Sequence, residues 1–331
     1  MLGILTALTV TLAGCGTAGP SSAPSSPGST GPSARPTSSP GSTGPSARPT
    51  SSPTPSRPAA QELPRGGREI FPRYRLFGYS GFPGAPGQGR LGIGTLDQRM
   101  KEIEQRGQAW RGGRELMPVM ELIAVTVHGK PGSDGMYRTR TSEAVIQRWF
   151  DAAVKHKAML LLNIQPGRAD FIDEVKYFEK WLKHPNVGVA LDPEWAVDAG
   201  QVPGRVYGST SGKELDEVAR YLSQLTAANN LPEKVMLFHQ LHVAIISKPK
   251  DLKQHPGLVY INSVDGIGSP GAKVATFQAV IKTRPSYVRP GFKLFYVEDK
   301  LPQYNKGRAG RLMTAKEVLA LKPQPEYILF E

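Results

Sequence analysis

Two carboxylic acids that lie close together, Asp192 and Glu194, are the side chains best spaced for chemistry in this chain. If residues 187–194 are extended, side chains two positions apart lie on one face, with Cα atoms about 6–7 Å apart. Like charges at that distance separate the two pKa values, so one carboxyl keeps its proton while the other ionises. Hydrolysis of a glycosidic bond needs such a pair. Trp195 beside them offers an apolar surface for a sugar ring.

Polar residues also follow several other short apolar segments of the chain. These segments span residues 74–79, 116–125, 159–164, 187–191, 235–238, 258–264, 292–297 and 327–330. The polar residues at or near their ends are Gln165, Asp192, Glu194, His239, Gln240, Asp265, Glu298, Asp299 and Glu331. Most gaps between the segments have the apolar spacing of an amphipathic helix. Strand and helix alternating eight times over about 260 residues predict an α/β fold, a (β/α)8 (TIM) barrel, whose strand ends meet at one pocket.

Alternation along each strand predicts which side chains face the barrel axis. Asp192 and Glu194 continue the face of Gly188 and Ala190, opposite the aliphatic residues of the fourth segment. We therefore expect both carboxyls to face the axis. Glu121 shares a face with Ile123 and Val125 in the second segment, and is expected to point inward from lower in the barrel. A buried acid needs a partner, and pairing with an Arg or Lys inside the barrel is the alternative to a role in the site.

The Asp-x-Glu motif at the end of the fourth strand resembles the family 18 chitinases and the family 25 muramidases, secreted barrels that act on N-acetyl sugars. Glu194 taken with Glu298 resembles instead the retaining glycosidases, with an acid/base on strand 4 and a nucleophile on strand 7. Both resemblances imply that Glu194 is the general acid/base, and they leave Asp192 and Glu298 open as nucleophile or charge stabiliser. The residues expected to bind the substrate are Gln165, Trp195, His239, Asp265, Tyr79, Glu121 and Asp299.

Other chemistries fit the sequence less well. His239 and His242 lack a third ligand at zinc spacing, so no metal and no other cofactor is expected. A hard divalent metal held by an Asp, Glu and His set is one alternative. A catalytically silent barrel that binds glycan or scaffolds envelope proteins is another. The prediction is an enzyme, a glycoside hydrolase acting on a cell-wall or extracellular polysaccharide with retention of configuration.

The first fifteen residues, MLGILTALTVTLAGC, predict a signal peptide over residues 1–14 and a lipid anchor on Cys15. The apolar stretch is far shorter than the roughly 20 residues of a spanning helix. Its last four residues resemble the lipobox of bacterial lipoproteins, which implies cleavage before Cys15 and a lipid on its sulfur. The alternative is an ordinary secretory signal with an incidental cysteine. The expected location is the extracellular face of the cell membrane.

Residues 15–64 are rich in Ser, Pro and Gly, and the run SSPGSTGPSARPT starting at Ser25 recurs from Ser38. Such a composition cannot form a core, so it predicts a disordered linker before a barrel domain over residues 65–331. Solvated helix faces explain most of the net charge of +13, and anionic wall polymers or lipid headgroups are the natural long-range partners of the rest. No nucleic-acid motif accompanies it, so nucleic acid is not expected as a partner, and a monomer is expected.

Residues 74–331 also resemble a group of uncharacterised actinobacterial exported proteins and lipoproteins. The resemblance lies in GYSGFPG from Gly78, NIQPGRAD from Asn163, LDPEW from Leu191 and FKLFYVED from Phe292. It implies export and the barrel fold, and it implies no particular activity.

Overall fold

The structure is a computed structural model that describes residues 60–331. These residues form a closed barrel in which each of eight strands is parallel to both neighbours. The barrel strands are β1 (Tyr74–Gly81), β2 (Glu115–Val127), β3 (Met159–Ile164), β4 (Val187–Leu191), β5 (Lys234–Gln240), β6 (Leu258–Val264), β7 (Arg289–Leu294) and β8 (Tyr327–Phe330). The predicted (β/α)8 barrel is confirmed. The signal peptide, Cys15 and the linker up to residue 59 lie outside the described residues.

Helices cover the outside of the barrel. They are α1 (Leu96–Gly107), α2 (Glu143–Lys155), α3 (Phe171–Tyr177), α4 (Glu179–Leu182), α5 (Gly212–Ala228), α6 (Pro270–Ile281) and α7 (Ala315–Leu319). The connection after β5, which lies within the described residues, contains no α-helix; it holds the 3-10 turns Val243–Ile245 and Pro249–Asp251 and the short strand Ile246–Ser247. The short strand Arg138–Arg140 pairs with β2, and Thr210–Ser211 pairs with Ile246–Ser247. Within residues 60–331, every helix is too short or too polar to cross a membrane.

Side-chain alternation divides the buried apolar residues into two layers. Val187, Val189 and Leu191 of β4 pack in the outer layer, between the strands and the helices. Ala190 of β4 belongs to an inner layer, which fills the barrel together with residues such as Leu237 of β5. The predicted facing of β4 is therefore correct, and it sends Asp192 toward the barrel axis.

The packed domain begins before residue 65. Leu63 is buried in the inner layer, and its backbone exchanges hydrogen bonds with Gly66 and Gly67 in a tight turn. Nε2 of Gln61 donates to the carbonyl of Asn229 at 3.3 Å. The boundary expected at residue 65 thus falls inside a segment that packs against the barrel.

Two strands depart from the expected pattern. In β2 the register with β3 shifts between Ile123 and Val125, which marks a bulge. The extra residue turns Val125 into the outer layer, so Val125 does not share a face with Glu121 as expected. β7 ends at Leu294 rather than at residue 297, and the N–H of the next residue, Phe295, donates to the Asp299 carboxylate at 3.0 Å.

Candidate active site

Charged side chains from six strands meet inside the C-terminal end of the barrel. We call this group the axial cluster: Glu121 of β2, Asp192 and Glu194 after β4, His239 of β5, Asp265 after β6, Lys293 of β7 and Glu331 after β8. All of them are buried except Glu331, which is half-buried. Active sites of such barrels lie at this end, because the strand ends and the loops after them converge there.

His239 is the centre of the axial cluster. Its Nδ1 lies 2.8 Å from Oδ2 of Asp265, and its Nε2 lies 2.9 Å from Oε1 of Glu121. Nε2 is also 3.9 Å from Oδ1 of Asp192. An imidazole whose two nitrogens both face carboxylates donates from both, and it does so only when it is protonated. Burial alone would lower the pKa of His239, but the charges of Asp265, Glu121 and Asp192 outweigh it and raise this pKa well above 6.5.

Glu121 is fully buried and accepts hydrogen bonds from three elements of the barrel. Nδ2 of Asn163 donates to it at 3.1 Å, the hydroxyl of Tyr327 at 3.0 Å, and His239 at 2.9 Å. Burial would raise the pKa of Glu121, yet the charges of His239 and Lys293 and the hydrogen bonds from His239 and Tyr327 lower it. The inward facing expected of Glu121 is correct, and its charge partner is an imidazolium rather than the Arg or Lys considered from the sequence.

Asp265 is held ionised by two cations. Lys293 Nζ lies 3.1 Å from Oδ2 of Asp265, the atom that also faces His239, while the Ser263 hydroxyl donates to Oδ1 at 3.0 Å. Burial opposes the charge, but His239 and Lys293 together hold the pKa of Asp265 well below its usual range. Lys293 also contacts Glu331 at 2.7 Å, so one ammonium bridges the ends of β6 and β8.

Asp192 and Glu194 differ from the other carboxyls because each keeps a free oxygen. Within residues 60–331, Oδ1 of Asp192 and Oε2 of Glu194 are buried and have no hydrogen-bond partner. Gln165 contacts the other Asp192 oxygen at 3.4 Å. Burial, followed by the charges of Asp192 and Asp265, raises the pKa of Glu194 to about 8. Burial also raises the pKa of Asp192. At neutral pH Glu194 is therefore mostly protonated, and no other group donates a hydrogen bond to its free oxygen within residues 60–331.

A short turn positions these two residues. After β4 the chain enters the 3-10 turn Pro193–Trp195, in which the N–H of Trp195 donates to the Asp192 carbonyl at 3.1 Å. The N–H of Gly208 returns from the following loop to the Glu194 carbonyl at 2.7 Å. Trp195 is half-buried beside this turn. The Asp-Pro-Glu-Trp segment thus holds both carboxyls at the strand end through local hydrogen bonds.

Three residues expected in the pocket lie elsewhere. Tyr79 points into the outer layer, where its ring packs edge-on against Phe330 with centroids 6.2 Å apart. In β1, Tyr79 shares its face with Phe77 of the outer layer, whereas Leu76 points into the inner layer. Glu298 is half-buried in the 3-10 turn Glu298–Lys300, beyond the end of β7, and among the described residues it makes no hydrogen bond or ion pair with the axial cluster.

Asp299 is an anchor for loops rather than a pocket residue. Its carboxylate is fully buried and accepts from the N–H of Gly268 at 3.1 Å and from the N–H of Phe295 at 3.0 Å. Nζ of Lys273, on α6, is 3.0 Å away. Asp299 therefore joins the loops after β6 and β7.

Lys293 is the residue of the axial cluster that sequence reasoning missed. The segment was placed at residues 292–297, and its polar tail drew attention to Glu298 and Asp299. Alternation within β7 carries the correct signal, because Gly291 and Lys293 share a face opposite Phe292 and Leu294. Ser263, Asn163 and Tyr327 were also missed as site residues, and they too are inward positions of their strands.

A metal would fit this cluster poorly. Asp192, His239 and Asp265 each offer one ligand atom, and these atoms lie within 4.8 Å of one another. Lys293 already lies against Asp265, and both nitrogens of His239 face carboxylates, so neither nitrogen presents a free lone pair toward the centre. The donor set matches a protonated imidazole, and we derive no step through a metal.

No protein-family model matches this chain, and a search of curated proteins finds no significant match. The geometry of the axial cluster therefore carries the functional argument.

Proposed function

We propose that the barrel is a glycoside hydrolase that acts on a cell-wall or extracellular polysaccharide. One observation carries this proposal: Glu194 has a free, buried oxygen and a pKa raised to about 8, next to Asp192, a second carboxyl that also keeps a free oxygen. A carboxyl that is protonated at neutral pH can give its proton to the oxygen of a glycosidic bond. The resemblance to glycosidases with an acid at the end of strand 4 agrees with this role for Glu194.

Asp192 is the second carboxyl of the proposed reaction. Glu194 protonates the leaving oxygen, the bond between that oxygen and the sugar's anomeric carbon breaks, and its electron pair goes to the oxygen. The positive charge left on the sugar ring is stabilised by Asp192, whose Oδ1 is free. Water then adds to the anomeric carbon and returns a proton to Glu194. Asp265 is less suited to that role, because both of its oxygens are held by His239, Lys293 and Ser263.

The test compares two glutamines on a panel of wall glycans. Glu194→Gln keeps the shape of the side chain and removes the acid, so turnover is expected to fall about 10²–10⁴-fold. Glu298→Gln is the matched control, because Glu298 does not join the axial cluster, and this variant is expected to retain turnover. If both variants lose turnover, the pairing of Glu194 with Glu298 across strands 4 and 7 replaces the pairing with Asp192. If Glu194→Gln keeps turnover, Glu194 is not the acid. Proton NMR of the first product tests the expected retention of configuration.

Burial of the carboxyls supports a second candidate function. Glu194 is only 8% exposed and Asp192 4%, so a substrate reaches them only after the covering loops move. A barrel that binds glycan on its surface, with the axial cluster as internal support, has the same geometry. The two candidates differ in one result. A barrel that only binds would bind glycans of the panel without releasing reducing sugar from any of them, and Glu194→Gln would bind them equally well.

We also propose that the protein is exported and anchored to the outer face of the cell membrane through a lipid on Cys15. The lipobox-like end of the signal and its place before a Ser, Pro and Gly-rich segment support this. Dual acylation holds a protein to a membrane much more firmly than one chain does. Cys15→Ser should leave the membrane fraction or stay unprocessed. Unchanged membrane fractionation of that variant would overturn the anchor.

A further inference from the structure

Exposed aromatic rings lie on the loops around the axial cluster. Tyr207, in the loop after β4, is 55% exposed, and Tyr304, in the loop after β7, is 42% exposed. Val206, Ile267 and Val297 are exposed on the same set of loops. Large apolar residues exposed together at the end of the barrel that holds a candidate site are typical of a binding surface.

Backbone contacts fix both tyrosines close to the site. The N–H of Gly208, next to Tyr207, donates to the Glu194 carbonyl at 2.7 Å. Gly268 packs so closely on Tyr304 that an added Cβ would lie 2.5 Å from the Tyr304 carbonyl oxygen. Burial, and then the charges of Glu194 and Tyr304, raise the pKa of Tyr207. Both tyrosines therefore lie on loops at the end of the barrel that holds Glu194.

A basic groove continues from Tyr304. It has a volume of about 630 Å³ and is lined by Asn305, Lys306, Arg308 and Arg311 of the β7 loop and by the start of α6. Arg311 is paired with Glu317 at 2.6 Å. Lys306 and Arg308 are exposed, and within residues 60–331 neither forms an ion pair. Its lining contains no acidic residue, so the groove is positively charged.

The groove is a built feature rather than a loose tail. Asp299 joins the loop after β6 to the loop after β7 through Gly268 and the buried Lys273. Nδ2 of Asn305 donates to the Asp299 carbonyl at 3.1 Å. Gly310 packs against that same carbonyl, where a Cβ would approach within 2.2 Å. The cations are therefore carried on backbone that is tied to the strand ends of the site.

We propose that the substrate is an anionic polysaccharide, whose sugar rings lie on Tyr207 and Tyr304 and whose acidic groups bind in the groove of Lys306, Arg308 and Arg311. This inference rests on the proposed function for the hydrolysis, but the binding can be measured without turnover. Tyrosine rings offer the flat apolar face that a sugar ring covers. Exposed cations without partners attract carboxylate or phosphate groups and give binding that depends on salt.

A polymer suits this surface better than a membrane does. The cations line a concave groove in the same loop that carries the exposed ring of Tyr304, so an extended chain can lie along both features. A bilayer presents a broad face, which contacts the rim of a groove before its floor. The net charge of +13 attracts either partner, so vesicles belong in the test.

The experiment measures binding of the purified full chain by affinity electrophoresis. The probes are polygalacturonate, which is anionic, its methyl ester, which is neutral, and phosphatidylglycerol vesicles. Lys306→Asn with Arg308→Gln removes both free cations, and Asn accepts the left-handed backbone of residue 306, where φ is 53°. This double variant should bind polygalacturonate about fivefold more weakly and lose most of the salt dependence. It should bind the methyl ester as the unaltered protein does.

Tyr207→Ala and Tyr304→Ala should weaken the binding of both polymers, because the ring contact does not depend on charge. Lys101→Ala with Arg148→Ala is the matched control, since these exposed cations lie on α1 and α2, and it should leave binding unchanged. The groove would be overturned if the control pair weakened polygalacturonate binding as much as the double variant does. It would also be overturned if the unaltered protein bound polygalacturonate and its methyl ester equally, or bound the vesicles more tightly than either polymer. Hydrolysis is scored separately. If the protein prefers the anionic polymer but hydrolyses no glycan, the groove stands and the proposed hydrolase function falls. If it hydrolyses glycans but binds acid and ester equally, the hydrolase function stands and the groove falls.

Discussion

Oδ2 of Asp265 lies 2.8 Å from Nδ1 of His239, on the axis of the barrel. The other nitrogen of His239 faces Glu121 at 2.9 Å, so one cation joins β2, β5 and β6. Because the carboxylates raise the pKa of His239, the folded state binds a proton that the unfolded chain holds less tightly. The contribution to stability is complete below the unfolded pKa of about 6.5 and is lost as pH rises through the folded value.

Replacing His239 by Gln should strongly destabilise the fold. The amide cannot supply the charge, so Glu121 and Asp265 stay buried with one fewer cation. Breaking a buried pair by removing one partner costs about 3–5 kcal/mol. The measurement is the free energy of unfolding in urea at pH 6. His156→Gln is the control, because its pair with Asp97 is at the surface, and it should change stability little. Equal effects of the two variants would show that the axial network contributes no more than a surface pair.

Leu63 should contribute to stability although it precedes the predicted domain boundary. It is 3% exposed and packs inside the barrel, so Leu63→Ala should cost about 2–4 kcal/mol in urea unfolding. Val154→Ala on the exposed face of α2 is the control and should cost little, since its side chain is 54% exposed. Deletion of residues 1–59 should likewise leave the unfolding free energy nearly unchanged. If Leu63→Ala matches the control, the segment before residue 65 is not part of the core.

Alternation predicted the facing of most strand residues because it follows directly from extended backbone. Glu121 and Asp192 were placed toward the axis from sequence, and the structure places both there. The bulge in β2 was not predictable in this way, because an inserted residue shifts the alternation without changing the composition of the segment.

The end of β7 was misplaced for a different reason. Phe295, Tyr296 and Val297 have strong strand propensity, but the N–H of Phe295 donates to the Asp299 carboxylate, and the N–H of Tyr296 donates to the Glu331 carbonyl beyond the end of β8. The bond to Asp299 depends on Lys273 of α6 supporting the buried carboxylate, and such tertiary contacts leave no local pattern. The misplacement drew attention to Glu298 and away from Lys293. The ionic partners within the axial cluster also join residues up to 118 positions apart, so no local spacing indicates them.

Lys234 should make the stability depend on pH in the opposite sense to His239. Its Nζ is buried against the Val187 carbonyl at 2.6 Å, and burial lowers its pKa to about 7. The folded state therefore favours the neutral amine, and the cost of burial grows as pH falls from about 10.5 to about 7. As pH falls from about 9.5 to about 7, the free energy of unfolding of Lys234→Met should rise by about 2–3 kcal/mol relative to that of the wild type. Lys101→Met, at an exposed site, is the control and should show no such pH-dependent gain in unfolding free energy. If the unfolding free energies of Lys234→Met and wild type change in parallel with pH, the lowered pKa of Lys234 is contradicted.

Glu194 can be tested without a substrate through stability. Its folded pKa of about 8 exceeds that of an unfolded Glu, so its contribution to stability is complete below about pH 4.5 and is lost as pH rises to about 8. Glu194→Gln imitates the protonated form at every pH. It should equal wild type near pH 4.5 and exceed it by roughly 2–4 kcal/mol near pH 9 in urea unfolding. Glu298→Gln should show no such pH-dependent gain. A constant difference between Glu194→Gln and wild type would mean that Glu194 titrates normally.

The pH dependence of turnover should show that Asp192 tunes Glu194. If Glu194 is the acid, kcat/KM falls as pH rises through about 8, where Glu194 loses its proton. Asp192→Asn removes the nearest like charge, so the pKa of Glu194 falls and the alkaline limb moves to lower pH, by about one unit. Residual turnover also drops, because the charge that stabilises the sugar cation is gone. Asp134→Asn, an exposed carboxyl paired with Arg138, is the control and should leave the limb in place. A limb that stays near pH 8 in Asp192→Asn would show that another group sets it, and the acid would have to be sought among the remaining members of the axial cluster.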